Sequence, residues 1–152
     1  MNQLTNISDK TYPLKSCNYR KENMPAKLMY MFCCGRVLTD QQTLLPSYID
    51  VFHNIVIPKN DNFWIQTFFI AGGIYNEKEG MVIAEVSFID PLGLRSKPTI
   101  MEAKLLPGYV PFNAQFLSVK FDKFGRYYLK IKFQGEELEL ENKYYFDVVK
   151  GV

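Results

Sequence analysis

One histidine, three cysteines and a run of glutamates are the residues of this sequence whose types bear chemistry. A serine or cysteine nucleophile would need His53 as its base, with a third group to orient the imidazole. No Gly-x-Ser-x-Gly elbow or comparable signature accompanies it. By alternation His53 shares one face of a strand with Val51, Ile55 and Ile57, the setting of a satisfied strand histidine. An enzyme would have to rest on His53 or Cys34. The sequence assembles no oriented base and nucleophile pair, so no catalytic residue is expected.

Cys17, Cys33 and Cys34, with His53, fall short of a metal site. Structural zinc sites carry paired C-x₂₋₄-C spacings, which are absent here. Adjacent residues on a strand point to opposite faces, so Cys33 and Cys34 cannot easily serve one framework. One of them is expected to pack as a small hydrophobe. No metal and no cofactor is expected. A sparse, odd cysteine count suits a reducing compartment. Among the glutamates, Glu137, Glu139 and Glu141 alternate onto one outer face opposite lysines. That is a solvated, charge-paired face rather than the carboxylate pair of a glycosidase.

Charge and hydropathy narrow the partners. The formal net charge is +2. Residues 1–27 hold five basic residues (Lys10, Lys15, Arg20, Lys21, Lys27) and two acidic ones (Asp9, Glu22), hence +3, leaving −1 for the remainder. A near-neutral body with a mildly basic arm lacks the dense basic face of a nucleic-acid binder. The opening MNQLTNISDKTYPLK has no apolar signal core. No stretch approaches the ~18 apolar residues of a membrane span. A cytoplasmic protein with neither nucleic-acid nor membrane partner is expected.

The elements that would position any site read as strands. Residues 1–26 are polar and broken by Pro13 and Pro25, and read as an arm. A single β domain over 27–152 follows. Its apolar runs are Leu28–Val37, Tyr48–Ile57, Phe63–Ile70 and Met81–Ile89, then Thr99–Leu106, Phe112–Phe121 and Arg126–Gln134. Gly72-Gly73 and the polar segment after it are expected to close the third run. Val82, Ala84, Val86 and Phe88 alternate onto one face, with Glu85 and Ser87 on the other. Asp90-Pro91-Leu92-Gly93 reads as a type I turn. Leu117, Val119 and Phe121 are expected on one side of their strand.

Tyr127, Leu129, Ile131 and Phe133 share a face, opposite Arg126, Tyr128, Lys130 and Lys132. A two-residue turn at Gly135-Glu136 would pair Phe133 with Leu138 and Ile131 with Leu140, and set Lys132 and Lys130 against Glu139 and Glu141. The parity continues through Tyr144, Phe146 and Val148, with a bulge expected near Asn142-Lys143. Short strands separated by turn signals predict an all-β fold: an immunoglobulin-like antiparallel β-sandwich of about seven to nine strands. Gly125-Arg126-Tyr127 at a strand entry places Tyr127 where a tyrosine corner sits in such sandwiches, the alternative being a plain core tyrosine.

The segments LMYMFCCGRVL, YIDVFHNIVIP, VSFIDPLG and FGRYYLKIKFQGEEL, in this order, resemble a family of uncharacterised bacterial immunoglobulin-like β-sandwich domains over roughly residues 28–149. The resemblance implies an opening strand, a second strand ending at a proline, a D-P-x-G turn and a closing G-x-Y hairpin. Gln41-Gln42 departs from it where a turn glycine is commoner, and so does the long polar arm. The family supplies no catalytic residues.

One stretch exceeds what a fold needs. Phe63–Ile70 is apolar on both faces, and Met81, Ile83 and Ile89 lie opposite the Val82–Phe88 face, whereas a sandwich sheet needs one apolar face. Trp64, Gln66, Phe68, Met81 and Ile83 are the expected interaction face. The arm, a second copy, another protein, or burial within the chain would cover it. The function expected is a non-enzymatic interaction or scaffold module acting through a sheet face, as a homo-oligomer or with an unknown protein partner. The alternative is a small-molecule or carbohydrate-binding module using Tyr75, Tyr109, Tyr128 and Tyr145.

Overall fold

The computed structural model describes residues 26–77, 79–133, 136–137 and 144–152. Ala26 is thus the one residue of the expected arm that is described. The described residues form strands and connections, without a helix. None offers a helix long and apolar enough to cross a membrane.

The strands are β1 (Lys27–Thr39), β2 (Pro46–Phe52), β3 (Asn54–Ile57), β4 (Trp64–Asn76) and β5 (Gly80–Ile89). There follow β6 (Thr99–Leu105), β7 (Gly108–Phe121), β8 (Gly125–Phe133), β9 (Glu136–Glu137) and β10 (Tyr145–Lys150). One sheet runs β2-β1-β4-β7. The other runs β3-β10-β8-β5-β6, with β9 also paired to β8. Every pairing is antiparallel except β3 with β10.

Six rings hold the two sheets together. Phe68, Phe116 and Phe121 come from the first sheet, and Phe88, Tyr127 and Phe146 from the second. Their contacting centroids lie 5.1 to 6.3 Å apart. Tilted and edge contacts of this kind add about 0.5–1.5 kcal/mol a pair beyond the area they bury. Alternation places these rings inward. On β8, Tyr127, Leu129, Ile131 and Phe133 are all buried, and on β5 so are Val82, Ala84, Val86 and Phe88.

Several elements differ from the sequence expectation. The run Tyr48–Ile57 is two strands in two different sheets, divided at His53. The chain crosses between layers there, so Ile55 and Ile57 enter the core while Val51 and His53 stay exposed. Gly72-Gly73 lie inside β4 rather than after it. Leu117 is exposed while Phe112, Ala114, Phe116 and Phe121 are buried. Opposite Gln66–Phe68, β7 carries an extra residue. Ser118 there has φ 48° and its N–H donates to Thr67 Oγ1 at 3.0 Å. This bulge reverses the parity of β7, so even positions face inward before it and odd positions after. Ser87 is buried, not outward in water, because Arg95 reaches over it and donates to its hydroxyl at 3.0 Å.

The last hairpin is also re-registered. Phe133 pairs with Glu136 and Lys132 with Glu137, two residues short of the expected partners. A slip of two keeps every side chain on its face, so alternation alone does not resolve it. Leu138, Glu139, Leu140 and Glu141, and the expected bulge, lie outside the described residues. From Lys132 to Tyr128 β8 advances by four residues while its partner advances by eight, from Glu137 to Tyr145.

The Asp90–Gly93 turn closes with Gly93 N–H on the Asp90 carbonyl at 2.9 Å and Gly93 at φ 85°. Asp90 Oδ1 accepts the N–H groups of Leu92 and Leu94 at 2.9 and 2.8 Å. Its Oδ2 takes the Lys123 ammonium. The Tyr127 hydroxyl donates to the Lys123 carbonyl at 3.0 Å, four residues upstream. Burial above all pushes the Tyr127 phenol up to about 12.

A candidate aromatic binding face

The outward side of the β2-β1-β4-β7 sheet is aromatic. Tyr30 and Phe32 stand two apart on β1, so alternation puts both outward while Met31 and Cys33 face the core. Their rings stack at 5.9 Å and 16°. Tyr48 from β2 meets Phe32 edge-on at 4.8 Å. Tyr109 from β7 stacks on Tyr30 at 6.2 Å, and the two hydroxyls are hydrogen-bonded. Tyr75 from β4 is the cross-strand partner of Tyr109. All four strands thus contribute an aromatic residue.

Of the glycine pair of β4, Gly73 makes room for this arrangement and Gly72 for the core behind it. A Cβ on Gly73 would lie 2.4 Å from the Tyr109 ring. A Cβ on Gly72 would lie 2.4 Å from the Tyr30 carbonyl oxygen and 2.6 Å from the buried Phe112 ring. Glycine inside a strand commonly marks such a close approach. An aromatic lying over a strand glycine also restores the cover that the missing side chain withholds.

The face is dry at one end and open at the other. Tyr48 and the rings beside it are half-buried, and Cys34 is fully buried. The Tyr48 hydroxyl is itself buried and has no hydrogen bond of good geometry, although Tyr30 is its near neighbour. Burial first, then Tyr30 and Cys34, push its phenol up to about 12. Burial likewise pushes the Cys34 thiol up to about 11 and raises Cys33 well beyond its usual range. At the open end Tyr75 and Tyr109 are 46% and 50% exposed. A tyrosine offers a rigid apolar ring and a polar tip, the pairing of properties that enriches it at interfaces.

The other sheet's outward side mixes charge with exposed apolar residues, Met81, Ile83 and Ile100 among them. Arg126 donates to Asp147 from Nε and Nη2 at 2.9 and 3.1 Å, and its guanidinium lies 3.7 Å from the Tyr145 ring centre. Lys132 stands in register between Glu85 and Glu137.

The residues expected to form an interaction face are not brought together. Trp64, Gln66 and Phe68 do share a side of β4, but it is the inward one. Phe68 is fully buried among the core rings, Gln66 is half-buried, and Trp64 runs past the end of the core at 41% exposure. Met81 and Ile83 are exposed on β5, on the outward side of the other sheet. Consecutive strands that change layer present their outward sides in opposite directions. The four tyrosines divide likewise: Tyr75 pairs with Tyr109 on one sheet, and Tyr128 with Tyr145 on the other, 6.4 Å apart. His53 is exposed at the crossing between layers, where its carbonyl accepts the Asp147 N–H at 2.8 Å. Cys33 and Cys34 are free thiols, and Cys17 lies outside the described residues. Among the described residues no three His, Cys, Asp or Glu side chains converge as a metal site requires.

Sequence reading passed over Tyr30, Phe32 and Tyr48. The available signal was LMYMFCC, a run apolar at both parities, which marks a strand covered on both sides.

No family model matches the chain, and no curated protein matches it. Among solved structures the chain is similar to part of a β-glucosidase from Listeria innocua. Against its glucose complex the TM-score is 0.41 at 8% identity, over 82% of this chain and 16% of that one. Against its gluconolactone complex the TM-score is 0.40 at 11% identity, over 83% of this chain and 16% of that one.

Proposed function

We propose that this chain is a non-enzymatic protein-interaction module, an immunoglobulin-like sandwich that binds a protein through the outward aromatic side of its β2-β1-β4-β7 sheet. The observation that carries the reading is the row Tyr48, Phe32, Tyr30, Tyr109 and Tyr75 across four strands, on the side of the sheet away from the core. A fold needs one apolar side per sheet, and this sheet has two.

The immunoglobulin-like assignment is supported by strand succession. Read as B, C, C′, E, F and G, strands β4, β5, β6, β7, β8 and β10 give a G-F-C-C′ sheet against a B-E pair. Tyr127 near the start of β8 then stands at the start of strand F, bonded to backbone upstream.

The test is purification of the full chain from its native host, with light scattering and mass spectrometry on the same sample. The expected result is a stoichiometric companion, or a second copy, that Tyr30→Ser/Tyr109→Ser loses and Lys130→Ser/Lys132→Ser keeps. A companion-free monomer, or a companion retained by the tyrosine variant, sinks the reading.

A further inference from the structure

The outward side of the β2-β1-β4-β7 sheet extends beyond its aromatic row. Alternation and strand pairing place Val51, Ile65, Phe69, Asn113, Gln115 and Leu117 on the same side as Tyr30 and Phe32. Val51, Ile65 and Leu117 are 50%, 55% and 70% exposed, so apolar surface continues from the tyrosines to the far end of the sheet. At about 3.3 Å a residue, Ile65 to Tyr75 on β4 is about 33 Å long, and four strands about 4.8 Å apart are about 19 Å across. The face therefore offers on the order of 600 Å² a copy. A symmetric pair would cover about 1,200 Å², where specific, stable interfaces begin.

Among the described residues, charge is confined to the margin of this face. Arg36 pairs with Asp50 at 3.5 Å along one side, and Lys120 with Asp122 at 3.6 Å at the Ile65 end. Lys27 is exposed at the corner beside Tyr75. An apolar interior within a polar rim is the anatomy of a homodimer interface. A foreign partner is commonly recognised by opposite charge, and like charges brought together oppose docking. Here the two ion pairs neutralise themselves, so the face offers a foreign partner little charge and does not repel its own copy. Its uncharged polar groups have the same property. The phenols of Tyr75 and Tyr109 and the amides of Asn113 and Gln115 each donate and accept, so each can bond the identical group on a second copy.

We infer that two copies of this chain close these faces on each other as a two-fold symmetric dimer, sheet against sheet. This rests on the reading above, that the face binds a protein, and names that protein as a second copy. The same patch serves both partners, so assembly stops at two.

The full chain, produced alone, is followed by sedimentation velocity from about 1 to about 200 μM, which spans the weak end of the range for interfaces of this size. The expected result is a monomer–dimer equilibrium. Ile65→Lys/Leu117→Lys sets like charge on both copies at exposed positions, and should raise the dissociation constant at least about tenfold, as should Tyr30→Ser/Tyr109→Ser. Met81→Lys/Ile83→Lys, on the outward side of the other sheet, should leave it unchanged. Circular dichroism verifies that each variant is folded. The inference is overturned by a dimer that survives both face variants, by one lost with Met81→Lys/Ile83→Lys, by growth past two copies, or by a monomer at the highest concentration. A monomer whose Tyr75 and Tyr109 resist nitration by tetranitromethane has the face covered by its own chain, which also overturns it. A monomer that takes a stoichiometric companion from its native host, released by Tyr30→Ser/Tyr109→Ser, overturns the dimer and leaves the reading above standing. A monomer without a companion sinks both.

Discussion

The Tyr109 ring lies over Gly73, so close that a Cβ there would stand 2.4 Å from it. The two glycines of β4 face different obstacles. At Gly73 the obstacle is the far end of one side chain, which can swing. At Gly72 it is a backbone carbonyl and a packed core ring. Gly72→Ala should therefore cost about 1–3 kcal/mol, as overpacking does. Gly73→Ala should cost clearly less, yet displace Tyr109 and weaken partner binding. Urea melts of the two variants, beside a binding measurement on Gly73→Ala, check both halves.

Core truncations separate the two sides of β8. Leu129→Ala and Ile131→Ala remove buried groups and should each cost about 2–5 kcal/mol. Lys130 faces outward, and Lys130→Ala should cost under about 1 kcal/mol. Equal costs from denaturant melts would contradict the side assignment.

Phe68 provides a sharper comparison. It touches four other rings of the core cluster and is fully buried. Phe68→Ala should cost about 3–5 kcal/mol. Trp64→Ala, at the strand's exposed end, should cost well below that. If the order is reversed in matched urea melts, the placement of β4 relative to the core is wrong.

Acid should loosen two clamps together. Lys123 above all, then the Leu94 and Leu92 N–H groups, hold the Asp90 carboxyl below its usual range, and Arg126 does the same for Asp147. The folded state thus binds fewer protons than the unfolded chain across that interval. The stabilisation is complete above the unfolded carboxylate value, near ~3.9, and is lost as pH falls through the lower folded values. The urea midpoint should therefore fall steeply below about pH 4. Asp90→Asn and Asp147→Asn should each flatten that fall. An unchanged acid slope in both variants counts against the two pairs.

The thiols of Cys33 and Cys34 should be inert in the folded protein. Both are buried and their ionisation is pushed upward, so little thiolate exists at pH 8. In a Cys17→Ser background, dithionitrobenzoate should label neither until denaturant is added. Rapid labelling of one thiol in native buffer would place it at the surface.

Much of the architecture was legible along the chain because a strand's two sides repeat every second residue. The burial of Val82 through Phe88 and of Tyr127 through Phe133 follows from that period, and the Asp90–Gly93 turn follows from its own residue types. Strands in an all-β chain were therefore determined locally. Whether a run stays in one layer was not: at His53 the inward side passes from an even position, Phe52, to odd ones, Ile55 and Ile57, and a run with apolar residues at both parities does not show where that change falls. Only the tertiary structure decided that Phe68 is core and Trp64 its exposed end, since distance from the end of the core, not side of the strand, sets their burial. It alone decided that Leu117 faces water, through the extra residue at Ser118. It alone gathered Tyr30, Phe32, Tyr48, Tyr75 and Tyr109 on one surface. Those residues lie far apart in sequence, and pairing between strands, which is a long-range choice of partner and register, is what brought them together.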